Sequence, residues 1–170
     1  MRFLEKLYAA GAALAAVFMV LIAALTLSQV IGRIIGVVVP DAGDLAGYAM
    51  AAATFFALAH TFRSGGHIRV NLLLLHVPRR VRLALECWCL AFLAFVGALF
   101  AAFSVKLVLD SYAFGDVSTG MVPVPLWIPQ TTMALGALLL EIAVIEELVR
   151  VLRGHEPRYE KAEEAAAFTE

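Results

Sequence analysis

Between Leu7 and Gly32 the chain carries no charged side chain. As one helix rising about 1.5 Å per residue, that stretch would be roughly 39 Å long, more than a helix needs to cross a hydrocarbon core about 30 Å thick. It must tilt or protrude. Three further stretches are largely apolar: Leu45 to Phe62, about Leu83 to Val105 with Glu86 near its start, and about Leu126 to Val149 with Glu141 in its final third and Glu146 and Glu147 near its end. Composition agrees, with 62% hydrophobic and 16% charged residues and a mean hydropathy of +0.88, where a soluble domain holds roughly 25% charged residues. The expected fold is an all-α integral membrane protein with four transmembrane helices. They fill a domain over residues 1–153, and a polar tail over 154–170 follows, solvated and poorly ordered or partly helical. A net charge of −1 supplies no global field for nucleic acid.

Arg2 and Lys6 ahead of an alanine-rich run resemble the start of a secretory signal, but the apolar stretch exceeds the roughly 7–15 residues of a signal core. It reads as a retained anchor. Orientation follows from lysine and arginine. With both termini in the cytoplasm, the inner segments hold Arg2, Lys6, Arg63, Arg69, Arg79, Arg80, Arg82, Arg150, Arg153, Arg158 and Lys161, eleven of the thirteen basic residues. The other two, Arg33 and Lys106, fall at span ends, where long side chains reach the interface. Both termini are therefore expected on the cytoplasmic side.

The segment from Arg63 to Arg82 then becomes the inner loop between the second and third spans. Its apolar middle is too short to cross, Gly65 and Gly66 separate it from the second span, and Pro78 ends it. Ile68, Leu72 and Leu75 share one helical face, with Arg69 and His76 on another, which predicts a short amphipathic helix in the headgroup layer. Its arginines suit contact with anionic membrane lipids.

Arg63 followed by Gly66-His67-Ile68-Arg69-Val70 resembles the signature loop of the small membrane subunit of tripartite ATP-independent periplasmic (TRAP) transporters, the DctQ family. Gln29-Val30-Ile31-Gly32-Arg33 is similar to the family's first-span ending, and Pro123, Pro125, Trp127, Ile128 and Pro129 to its proline-bearing approach to the fourth span. The likeness extends over about residues 1–153. Two positions depart from it: Asn71 stands where the family usually has an aspartate, and Asp44-Leu45 stands for a glutamate-leucine pair.

The resemblance implies a sodium-driven import system for organic acids, in which a periplasmic substrate-binding protein delivers solute to a membrane pair. A large multispanning subunit would hold the substrate and sodium sites. This chain would be a non-catalytic collar that scaffolds the large subunit and helps dock the binding protein, with no cofactor, metal or substrate site of its own. Arg63, Gly66, His67 and Arg69 would serve as an interface or lipid contact. The connection from Asp110 to Pro125 would face the binding protein.

The sequence agrees on the absence of transport chemistry, since a midplane solute site usually uses broken helices or intramembrane charges. Thr26, Ser28, Thr54 and Ser104 are expected to bond back to their own helices. Glu86 can meet Arg82 one turn earlier and Glu141 can face headgroup water, or both can make polar contacts with the large subunit. Arg33 is expected to pair with Asp44, bracing the first hairpin beside Asp41.

Two rival readings use other residues. A four-helix haem-b protein would draw on His60, His67, His76 and His155, none at mid-span. A thiol oxidase would need a cysteine pair on the oxidising face, whereas Cys87 and Cys89 point roughly 200° apart on one helix and fall on the reducing side. Both read as small packing residues. A third alternative is a small assembly subunit of an unrelated membrane complex.

Overall fold

The computed structural model describes residues 2–64 and 78–153. Four helices account for nearly all of them: α1 (Arg2–Ile35), α2 (Ala42–Arg63), α3 (Arg79–Phe114) and α4 (Trp127–Leu152). The expected interfacial helix, with Gly66, His67 and Arg69, lies outside the described residues, as does the tail.

The outer helices are longer than the charge-free runs that seed them. α3 has 36 residues and is roughly 54 Å long at about 1.5 Å per residue. It continues through Lys106 and Asp110 because charge does not end a helix. Gly115 does, in a left-handed conformation with φ 69°, and the Asp116 N–H reaches back to the Ser111 carbonyl at 3.0 Å. Glycine closes many helices in this way. Three stretches are long and apolar enough to cross a membrane: Leu4–Ile35, Ala42–Arg63 and Val81–Phe114. α4 carries Glu141, Glu146, Glu147 and Arg150.

α1 and α2 run antiparallel, since Gly11 meets the Phe56 carbonyl near one end and Gly43 meets Gln29 near the other. α3 and α4 do the same, through Gly97 against Glu141 and the Tyr112 ring edge-on to Trp127 at 5.8 Å. α2 and α4 lie side by side in parallel, with Gly136 on Phe55 and Ala59 in one cluster with Ala143 and Val144. The order is therefore up, down, up, down, with α2 and α4 central. One end of the bundle gathers the start of α1, the end of α2, the start of α3 and the end of α4. We call it the basic end, because Lys6, Arg63, Arg82, Arg150 and Arg153 lie there. The far end holds the two short connections.

Burial follows this order. Within their most apolar stretches, 11% of α1 and 11% of α3 is buried against 33% of α2, and large side chains such as Val17, Val20, Phe95 and Phe103 face outward. Lipid tails are as apolar as these side chains, so burial gives the helices little reason to associate, and close van der Waals contact between small residues must do so. The buried set is accordingly rich in alanine, including Ala15, Ala52, Ala59, Ala101, Ala137 and Ala143. Gly136 is the tightest such point between α2 and α4: a Cβ there would meet the Phe55 carbonyl carbon at 2.6 Å.

Polar side chains in the helices largely bond to their own turns. Thr26 donates to the Ile22 carbonyl at 2.8 Å, Ser28 to Leu25 at 2.7 Å and Thr54 to Met50 at 2.8 Å, as expected from the sequence. Trp127 opens α4 at the far end, and Trp88 lies in the first third of α3, toward the basic end. Cys87 and Cys89 are free thiols on α3.

Candidate functional site

The basic end is tied together by a residue the sequence did not single out. The Arg63 guanidinium carbon lies 4.4 Å from the centroid of the Tyr8 ring, and the Tyr8 hydroxyl donates to Glu146 Oε2 at 3.3 Å. One aromatic ring thus joins α1, α2 and α4. A cation stacked on tyrosine contributes about 0.5–1 kcal/mol where exposed and more where desolvated, so Arg63, half-buried, has a place on its own chain before any partner or lipid is considered. Tyr8 stood within one turn of Lys6 in the sequence, but nothing there marked which helix its ring would face. A recess of about 300 Å³ opens beside this stack, lined by Glu5, Tyr8, His60, Arg63 and Ser64.

Glu86 and Glu141, expected as candidate contacts with a partner subunit, both lie buried within this chain, at 6% and 8% exposure. Glu86 accepts from Arg82 Nε at 3.1 Å, the one-turn pairing that its spacing suggested. Glu141 is turned away from the open surface of the chain. It points from α4 into the notch that Gly97 leaves in α3, and its Oε2 has no hydrogen-bond partner among the described residues. A side chain at position 97 would collide with this carboxylate, so Gly97 gives it room.

At the far end the expected Arg33–Asp44 brace is corrected. Among the described residues these two form no ion pair, and both are exposed. An exposed pair would contribute about 1 kcal/mol or less, and Asp44 already occupies the first turn of α2, where the helix dipole favours a carboxylate. The acid that is engaged is Asp41, whose Oδ2 accepts the N–H of Val122 on the opposite connection.

That opposite connection is an ordered loop. Val117 and Pro125 form an antiparallel bridge, Ser118 N–H donates to the Val124 carbonyl at 2.9 Å and Leu126 N–H to Asp116 at 2.9 Å. The Ser118 hydroxyl accepts from the Val124 N–H at 3.0 Å. Among the described residues no three of His, Cys, Asp and Glu converge as a metal site would need.

The family model for tripartite ATP-independent periplasmic transporters, DctQ component, matches residues 22–154. The chain belongs to the DctQ family. The match takes in α2, α3, α4 and the Arg63-to-Val70 segment, and begins within α1, so Tyr8 lies ahead of it. As a DctQ component the chain is a membrane part of a tripartite transporter, and its long apolar helices are what such a part requires. No curated protein and no solved structure matches the chain.

Proposed function

We propose that this DctQ chain is the non-catalytic small subunit of a sodium-driven importer of organic acids, scaffolding a large multispanning subunit and helping to dock a periplasmic substrate-binding protein. The observation that carries the reading is the family match over residues 22–154. In this reading all four helices cross the inner membrane and both termini are cytoplasmic. The fourth crossing is supported by α4 lying along α2 and α3. The orientation is supported by the basic end, since lysine and arginine are favoured on the cytoplasmic side. Arg63, Gly66, His67 and Arg69 then face the cytoplasm, at an interface with the large subunit or with anionic lipid. The loop over residues 115–126 faces the periplasm and the binding protein.

The helices support a chain that carries no solute. All four run unbroken, whereas midplane sites usually need interrupted helices whose ends meet the ligand. The recess between α1, α2 and α4, about 300 Å³ and lined by residues such as Phe18, Leu25, Tyr48 and Ile128, has no cation for an organic acid. The recess along α3 has Lys106, but Asp110 shares it.

Reconstitution tests the proposal. Proteoliposomes containing this chain and the large subunit, with binding protein added outside, are expected to take up members of a panel of radiolabelled carboxylates and sulfonates only under an inward sodium gradient. Omitting this chain is expected to abolish uptake. Equal uptake without it, or uptake indifferent to sodium, would overturn the proposal.

A further inference from the structure

We infer that Asp41 is a positioning residue that clasps the two far-end connections into one rigid unit, and so presents the 115–126 loop to the periplasmic binding protein. The inference rests on the proposed function for the identity of that partner, and on the structure for the clasp.

Asp41 stands at the N-cap position of α2, where aspartate ordinarily accepts a hydrogen bond from the first turn of its own helix. It does not do so here. Instead the backbone is left-handed, with φ 52° and ψ 15°, and Asp41 is the non-glycine residue with positive φ among the described residues. Aspartate tolerates that region better than most side chains. The turn directs the carboxylate across to the other connection, where Oδ2 accepts the N–H of Val122.

The receiving loop is built to fit. A Cβ on Gly120 would lie 2.8 Å from the Asp41 carboxyl carbon and 2.8–2.9 Å from both oxygens, so a side chain there would push the carboxylate aside. The base of the loop holds itself through the Val117–Pro125 bridge and the Ser118 bonds. Its tip, residues 120–122, is held by Asp41. Beside the clasp, Val38 is 78% exposed, Met121 79% and Val122 50%, so the unit it steadies ends in an apolar crown drawn from both connections. A loop already ordered loses less freedom on docking than one that must be ordered by its partner.

The test uses the three-component system in proteoliposomes, with uptake of a radiolabelled acid measured against binding-protein concentration. Asp41→Ala is expected to raise the half-saturating concentration of binding protein several-fold, with maximal uptake and copurification of the large subunit unchanged. Asp41→Asn is expected to behave nearly as wild type, because its carbonyl oxygen can still accept the Val122 N–H and asparagine also tolerates the left-handed turn. Gly120→Ala, which alters no charge, is expected to reproduce the Asp41→Ala shift. A disulfide variant, Asp41→Cys with Gly120→Cys, is expected to restore wild-type affinity when oxidised and lose it when reduced. An unchanged half-saturation in Asp41→Ala and Gly120→Ala overturns the inference alone. So does loss of the large subunit from both variants, which would make the clasp structural only. Wild-type uptake that is indifferent to binding-protein concentration overturns the proposed function and the inference together.

Discussion

Gly136→Val is expected to lower the unfolding temperature of the detergent-solubilised chain more than any other single substitution considered. A Cβ at this position lies 2.6 Å from both the carbonyl carbon and the Cβ of Phe55, and a backbone atom cannot rotate aside as a side-chain tip can. α4 must therefore move away from α2. In a membrane bundle that separation removes the van der Waals contact on which association depends, and overpacking of a tight contact costs about 1–3 kcal/mol. Valine should fall at the upper end and alanine below it. Gly47→Ala provides the control, because nothing lies within 4 Å of a Cβ there and alanine favours a helix by up to about 1 kcal/mol over glycine. Thermal unfolding followed by circular dichroism should place Gly136→Val well below wild type and Gly47→Ala at or above it. Equal unfolding temperatures for the two variants would contradict the close α2–α4 contact.

Glu141→Leu is expected to have the opposite sign. Glu141 is 8% exposed, its carboxylate faces Gly97 and Oε2 has no hydrogen-bond partner among the described residues. A buried polar atom with no hydrogen bond destabilises a fold by about 1–3 kcal/mol, and replacing such groups with apolar side chains of similar size is often stabilising. Leucine in the Gly97 notch should raise the unfolding temperature, whereas Glu141→Gln, which keeps an unsatisfied amide, should leave it near wild type. A marked fall with leucine would mean that the carboxylate has a favourable partner and would contradict the reading of an unpartnered group.

The first three helices were legible because crossing lipid imposes a length and disfavours charge, and those two conditions can be read one residue at a time; α4, with Glu141, Glu146 and Glu147, does not meet the second. Helix ends were less legible. Lys106 and Asp110 suggest that the third span stops near Val105, yet the helix continues until Gly115 turns it. The Arg82–Glu86 pair was readable because both residues lie on one helix four positions apart. Tyr8 on Arg63 and Asp41 on Val122 were not, since each joins different elements and depends on how those elements are rotated and docked. Arg33 and Asp44 show the same limit in reverse: proximity in sequence suggested a pair, but two exposed charges gain too little from meeting to be held together. The notch at Gly97 required knowing that α4 faces α3 at that level.

Purification from native membranes tests the central claim most directly. The tagged chain, extracted in mild detergent and examined by mass spectrometry and visible absorption, is expected to carry with it a single much larger multispanning subunit and to show no Soret band. Recovery of the chain alone, or with a haem spectrum, would contradict its role as the small subunit of a tripartite transporter.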